Sequence, residues 1–256
     1  MTARAPPPAT AAARYDRRPL RSPPATIAAR YDRQVRDRWF GWSVARRLPG
    51  LIAGLLLFGV GIAAMADAGL GLGPWEVFHQ GIGRHIGMEL GTVSILVGIP
   101  VLLLWWPLGE RLGIGTVLNV ALIGTATNVA LPLLPQPSEP IVQLAMTAIG
   151  VLVIGVAAGL YLAADLGAGP RDGVMTGMHR RFDWSIRRVR TAIELGILAA
   201  GFLLGGTVGI GTVLFAFKIG PIVQAALVVF DREGRVGRQR RPELAEELDS
   251  PGTVGE

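Results

Sequence analysis

The sequence contains no cysteine, a single lysine and few charged residues of any kind. Without cysteine the chain forms no disulfide and no thiolate metal site, and it offers no cysteine nucleophile. Charged residues make up 17% of the 256 residues, whereas about 25% is usual in soluble domains. Together with a hydrophobic share of 50% and a mean hydropathy of +0.44, this shortage of charge predicts a membrane protein.

The basic residues that are present lie mainly in two tails and one loop. A formal net charge of +6 would favour nucleic acid only if the arginines formed a stripe on one folded surface. We therefore expect no nucleic-acid partner and attribute the charge to membrane topology. The histidines, His79, His85 and His179, lack the helical spacing of metal ligands and are interpreted as loop or interfacial residues. No metal site and no cofactor is predicted.

Six apolar stretches occupy the middle of the chain, each about long enough for a helix to cross the roughly 30 Å hydrocarbon layer. Residues 1–48 are rich in proline, alanine and arginine and predict a disordered basic N-terminal tail, and residues 231–256 predict a polar C-terminal tail. The sequence thus predicts an all-α polytopic membrane protein with six transmembrane helices. The six stretches lie near 50–67, 90–107, 114–132, 141–163, 188–205 and 210–230.

The apolar region is a tandem duplication. A shift of 96 residues aligns 51–128 with 147–224 without a gap, and 23 of those 78 positions are identical. The identities concentrate in two Gly-x-Gly-Pro elements and in two Gly-Ile-Gly-Thr-Val-Leu segments. We interpret 49–136 as the first membrane repeat and 137–230 as the second. Because each copy holds three spans, an odd number, the second copy is expected to enter the membrane upside down.

The distribution of arginine favours this inverted arrangement. With a cytoplasmic N-terminus, the segments predicted to face inside hold 23 of the 25 basic residues, and those predicted to face outside hold only Arg84. The loop at 67–90 carries one arginine, whereas its equivalent at 163–186 carries three. Both termini are therefore predicted to be cytoplasmic, in the inner membrane of a bacterial cell.

Each Gly-x-Gly-Pro element predicts the start of a helix, with Gly73 or Gly169 at the cap and Pro74 or Pro170 at the first helical position. The segment that follows, near 74–86, is too short to span and predicts an interfacial or re-entrant helix. Two interpretations stay open. Either the two turns meet at the repeat interface and aim backbone N–H groups at an anionic or polar substrate, or they are sharp turns with ordinary capping.

Two charges fall inside predicted spans, where burial costs several kcal/mol unless the charge is paired or hydrated. Glu194 and Lys218 are offset by roughly 10 Å along neighbouring helices. They are expected to form an ion pair or, alternatively, to contact a substrate or a proton. No residues form a catalytic triad, a phosphate loop or a zinc motif, so no enzyme is predicted. The candidate substrate-binding residues are Gly71, Gly73, Pro74, Trp75, Glu76, Gly167, Gly169, Pro170, Arg171, Asp172, Asn119, Glu194 and Lys218.

Four short segments carry a family resemblance. GLGPWE from Gly71 and GTVLN from Gly115, with their second copies GAGPRD and GTVLF, resemble the YczE/YyaS/YitT family of bacterial integral membrane proteins. The likeness covers about 50–230 and implies a multi-pass membrane location. That group looks similar, in its glycine-rich six-helix layout, to small-solute transporters. The long N-terminal tail departs from a typical member.

The leading prediction is a six-helix inner-membrane protein that binds or transports a small solute at the repeat interface. The alternative is a non-transporting membrane accessory or scaffold that acts through a partner protein or lipid, for example through its basic tails. The expected partners are the lipid bilayer and a small-molecule solute. Small-residue stripes such as Gly155 and Gly159 would also allow a homodimer or another membrane partner.

Overall fold

The computed structural model describes residues 42–110 and 112–232, with Gly234 and Val236, and no strand occurs in these ranges. The predicted tails lie mostly outside the described residues. The predicted N-terminal tail extends too far, because residues 42–48 belong to the first helix. The helices are α1 (Trp42–Ala68), α2 (Pro74–Ile86), α3 (Leu90–Leu103), α4 (Trp105–Leu108), α5 (Ile114–Ala130), α6 (Pro140–Ala163), α7 (Pro170–Phe182), α8 (Ile186–Leu203) and α9 (Ile210–Phe230), with a 3₁₀ turn at Leu131–Leu133.

Four segments of this fold are long and apolar enough to cross a membrane, in α1, α5 with its 3₁₀ turn, α6 and α9. Helices α2 and α3 meet the same criteria only as a pair, and a bend of 109° separates them. Helix α8 has 18 residues but carries three arginines and Glu194. The prediction of a multi-pass helical membrane protein is therefore confirmed, with four or five spans supported by length and composition. The count of six stays a prediction.

Helices α1 and α6 form the antiparallel centre of the fold. Gly54 lies against Tyr161, whereas Gly61, further along α1, lies against Gly150 and Ile154 near the middle of α6. A Cβ atom at Gly54 would lie 2.8 Å from the backbone nitrogen of Tyr161, so the backbones approach as closely as glycine allows. The two helices run in opposite directions, because residues with higher numbers in α1 contact residues with lower numbers in α6.

Each outer helix packs against one central helix. Helix α5 packs against α1, and α9 packs parallel to α6. In the second copy, Gly155 lies against Ile222 and Gly159 against Ala226, so contact positions rise together along α6 and α9. The same contacts occur 96 residues earlier in the chain. There they join Gly59 of α1 to Ile123 and Ala126 of α5, just as Gly155 joins Ile219 and Ile222.

Backbone hydrogen bonds tie each copy to the other at the start of α5 and α9. The Gly115 N–H donates to the Leu166 carbonyl at 2.9 Å, and the Gly211 N–H donates to the Leu70 carbonyl at 2.8 Å. The two bonds are equivalent under the 96-residue shift. They satisfy N–H groups in the first turn of a helix, which otherwise have no partner within that helix. The loop of each copy therefore completes a helix start of the other.

Candidate functional site

A cavity of about 180 Å³ lies between α2 and α7, the two helices that follow the Gly-x-Gly-Pro elements. Side chains of α1, α3, α5, α6, α8 and α9 complete its wall. Most of the wall is apolar, but ionisable side chains from both copies enter it. Ionisable groups that lie at membrane depth usually mark a substrate or ion pathway.

Both short helices begin as predicted. Gly73 caps α2 and Gly169 caps α7, and a proline occupies the first helical position in each case. Glu76 and Asp172 lie in the first turns, where a negative charge is favoured by the partial positive charge of the helix start. Pro74, Pro170 and Gly169 line the cavity; Gly73 is not among the lining residues but packs against Glu76.

The first glycines of the two elements, Gly71 and Gly167, adopt backbone conformations that favour glycine. Gly71 and Gly167 adopt φ values of +108° and +130°, in the region that favours glycine. A Cβ atom at Gly71 would lie 2.6 Å from the Gly209 nitrogen, and one at Gly167 would lie 2.7 Å from Thr116 Oγ1. Neither residue lines the cavity. Both residues contact the opposite copy, and their predicted contact with a substrate stays a prediction.

A salt bridge links the two helix starts inside the cavity. Arg171 Nη2 donates to Glu76 Oε1 at 2.5 Å, and the Glu76 side chain is only 4% exposed. The Arg171 guanidinium also lies over the Trp75 ring, with Cζ 5.1 Å from the ring centroid, an attractive cation–π arrangement. The structure thus places Arg171, a predicted substrate-binding residue, at the interface between the copies.

Asp172 lies at a second polar corner of the cavity. The Tyr161 hydroxyl donates to Asp172 Oδ2 at 3.3 Å. The Asn119 amide approaches the same corner, because a Cβ atom at Gly169 would lie 3.3 Å from Asp172 Oδ2 and 3.4 Å from Asn119 Nδ2. Within the described part of the chain, Asp172 takes part in no salt bridge. Its carboxylate therefore has a neutral hydroxyl as its hydrogen-bond donor.

The expected ion pair between Glu194 and Lys218 is wrong. Arg190 Nε donates to Glu194 Oε1 at 2.9 Å along α8, and both residues line the cavity. Arg190 lies one turn before Glu194 on the same helix, where it reaches the carboxylate without bringing two helices together. Lys218 is exposed on α9 and does not line the cavity.

Sequence analysis missed three ionisable residues of the cavity wall. His79 was interpreted as a loop or interfacial residue, but it is 3% exposed and lines the cavity. Tyr161 and Arg190 were not singled out. A comparison of the two copies could have found them, because Tyr161 takes the position of Met65 and Arg190 that of Ser94. At both of these positions the copies differ in polarity, and the more polar residue lies in the cavity wall.

The Trp75 indole is an unsatisfied donor. Trp75 lines the cavity and is 7% exposed, and its Nε1 is buried without a hydrogen-bond partner among the described residues. A buried donor without an acceptor costs about 1–3 kcal/mol. The indole Nε1 is thus a buried donor whose hydrogen-bonding capacity no described group satisfies.

Two equivalent arginine contacts hold the far ends of the short helices. At the end of α2, Arg84 donates to the carbonyl oxygen of Gly205 and, at 3.0 Å, to Thr207 Oγ1. The equivalent residue of α7, Arg180, forms a salt bridge with Glu110 at 2.7 Å. In both cases the partner lies in the loop that precedes the last helix of the other copy. Each short helix is therefore fastened to the opposite copy.

Comparison with known proteins identifies similar bacterial chains. Residues 45–227 match the family of unknown function DUF6198. An uncharacterized protein of Haemophilus influenzae is 41% identical over 182 residues, which cover 71% of this chain and 84% of that protein. The uncharacterized membrane protein YczE of Bacillus subtilis is 35% identical over 184 residues, covering 70% and 82%. The uncharacterized protein YyaS of Bacillus subtilis is 23% identical over 183 residues, covering 70% and 91%. No solved structure matches the chain.

Proposed function

This chain belongs to the DUF6198 family, with YczE and YyaS as relatives, and we propose that it binds and transports a small solute in the cavity between its two copies. The observation that carries the proposal is the cavity itself, in which ionisable side chains of both copies converge inside an apolar helical protein. Its volume of about 180 Å³ is below the roughly 300–1000 Å³ of sites for drug-sized ligands. The solute is therefore small.

The two copies act as inverted repeats of the bacterial inner membrane, with both termini in the cytoplasm. The antiparallel packing of α1 on α6, the contacts that recur after 96 residues and the arginine distribution support this arrangement. In it, α3 with α4 forms the second span and α8 the fifth, while α2 and α7 are re-entrant helices. Many transporters bind their substrate at such a repeat interface, near the middle of the membrane.

The contacts of Arg84 and Arg180 control the access of the solute to the cavity. In the inverted arrangement these equivalent contacts lie on opposite sides of the membrane, and each fastens one short helix to the other copy. Release of one contact at a time would open the cavity to one side only. Movement of one repeat against the other around a fixed site is the usual form of alternating access.

The topology is tested with single cysteines in this cysteine-free chain. Ser138→Cys, between α5 and α6, should react with a membrane-impermeant thiol reagent in intact cells, because its loop is assigned to the outside. Ser185→Cys, at the start of α8, should react only after lysis. Reaction of both positions from the same side would contradict the inverted arrangement and remove the main support for transport.

Transport is tested at Glu194, a cavity residue outside both short helices. Cells that express the chain should change their content of at least one small solute relative to vector controls, as measured by untargeted metabolite profiling. Glu194→Gln should reduce that change about tenfold, the effect of losing an interaction of about 1.4 kcal/mol. Glu89→Gln, which alters an exposed carboxylate, is the control and should leave the change intact. An identical solute profile in wild-type, variant and vector cells would overturn the proposal.

A further inference from the structure

We infer that the solute is a small organic cation, a protonated amine that pairs with Asp172 and also carries a hydrogen-bond acceptor. The inference rests on the proposed function and names the chemical class that this cavity would take. It follows from the charges of the cavity wall, from its aromatic residues and from the unsatisfied indole of Trp75.

The fixed charges of the cavity wall leave one carboxylate without a cation. Three carboxylates and two guanidinium groups line the cavity. The salt bridge of Arg171 with Glu76 and that of Arg190 with Glu194 account for both cations. Asp172 remains, with the Tyr161 hydroxyl as its hydrogen-bond donor. A surplus negative charge in a site of low dielectric constant attracts a cation more strongly than it would in water.

Aromatic rings face the same space. Phe58, Trp75, Tyr161 and Phe215 all line the cavity, and the Phe58 and Tyr161 rings meet edge to face at 6.2 Å. The face of an aromatic ring attracts cations. Trp75 already holds the Arg171 guanidinium in this way. The wall therefore suits an ammonium group with a short hydrocarbon part.

An anionic solute fits the wall less well. A helix start favours anions, but the first turns of α2 and α7 already contain Glu76 and Asp172. The Arg171 guanidinium is neutralised by Glu76. An incoming carboxylate would have to displace Glu76 and lie near Asp172, which adds repulsion between like charges.

The Trp75 indole specifies a second feature of the solute. Its Nε1 donor is buried without a partner in the described part of the chain. A hydroxyl or carbonyl oxygen on the solute would accept this hydrogen bond. Three short probes test the charge requirement alone, because each carries a hydroxyl acceptor and only the charge of the other end differs. They are 3-aminopropan-1-ol, propane-1,3-diol and 3-hydroxypropanoate.

Binding of a probe in the cavity is measured by the reaction rate of a single cysteine placed in its wall. Ser94 lines the cavity, and Ser94→Cys supplies the single thiol of the purified full-length chain. The rate of its reaction with N-ethylmaleimide is followed at constant ionic strength and neutral pH. 3-Aminopropan-1-ol should slow the reaction about tenfold at about ten times its dissociation constant, because only the free protein reacts. The diol and the hydroxy acid should leave the rate unchanged.

Two further variants assign this protection to Asp172. In the Ser94→Cys background, Asp172→Asn should abolish protection by the amine, and Asp172→Glu, which keeps the charge, should retain it. Protection by 3-hydroxypropanoate, or equal protection by all three probes, would overturn the cation inference and leave the proposed function standing. If neither these probes nor a metabolite library of mixed charge slows the reaction, the proposed function itself fails. The three probes test the inference even if Asp172→Asn does not fold.

Discussion

Glu76→Gln should lower the free energy of unfolding by about 1.5–3 kcal/mol, the usual contribution of a hydrogen bond to a charged group, because Glu76 is buried whereas the Arg171 side chain is 28% exposed. The Glu76 side chain is 4% exposed and accepts the 2.5 Å hydrogen bond from Arg171. Without the carboxylate, the guanidinium lies beside the Trp75 ring with no counter-charge in that salt bridge. Denaturant unfolding of the purified protein in detergent measures the loss.

Two variants control for this result. Glu194→Gln breaks a salt bridge whose side chains are 53% and 33% exposed, and it should cost about 1 kcal/mol or less. The double variant Glu76→Gln with Arg171→Gln removes both charges and should recover much of the stability lost in Glu76→Gln. If Glu76→Gln costs no more than Glu194→Gln, or if the double variant is as unstable as the sum of its parts, the buried salt bridge does not stabilise the fold as described.

Gly201→Ala should destabilise the protein by about 1–3 kcal/mol, the range for adding atoms to a filled interface. A Cβ atom at Gly201 would lie 2.5 Å from the Phe78 nitrogen and 2.8 Å from the Val77 carbonyl carbon. Both neighbours are backbone atoms of α2, so α8 has to move away from α2. Because α8 also carries Arg190 and Glu194, the movement should disturb the cavity wall as well.

Gly196→Ala is the matched control in the same helix. No atom lies within 4 Å of a Cβ atom built there, and the residue is exposed. Alanine is favoured over glycine inside a helix by about 1 kcal/mol, so this variant should be neutral or slightly stabilising. The unfolding midpoints of both variants, measured side by side, show whether Gly201→Ala destabilises the protein more than Gly196→Ala. Equal effects at the two positions would contradict the close packing of α8 on α2.

The helices could be predicted because their signals are local. The predicted stretch 210–230 is the range of α9, and the predicted starts at Gly73 and Gly169 are the observed caps of α2 and α7. Length, apolar content and the Gly-Pro pairs fix these features within one segment. The predicted tail, residues 1–48, wrongly included the start of α1 at Trp42, because it was assigned from its proline, alanine and arginine content.

The candidate site was only partly accessible to sequence reasoning. Trp75, Glu76, Arg171, Asp172, Asn119 and Glu194 were named and do line the cavity, because duplicated elements at a repeat interface meet by symmetry. Their contact with a solute stays a prediction. The partner of Glu194 and the burial of His79 depend on how helices rotate against each other, and no pattern within one helix encodes that rotation.

The exchanged backbone bonds have a consequence for synthesis. The Leu70 carbonyl accepts a hydrogen bond from the Gly211 N–H, and the Leu166 carbonyl accepts one from the Gly115 N–H. Because chains grow at about 5–20 residues per second, the N-terminal half waits several seconds in the membrane before its partner segment leaves the ribosome. During that interval the start of α5 lacks its acceptor and the polar faces of α2 are uncovered. The first copy is therefore completed only after the second copy has been synthesised as far as Gly211.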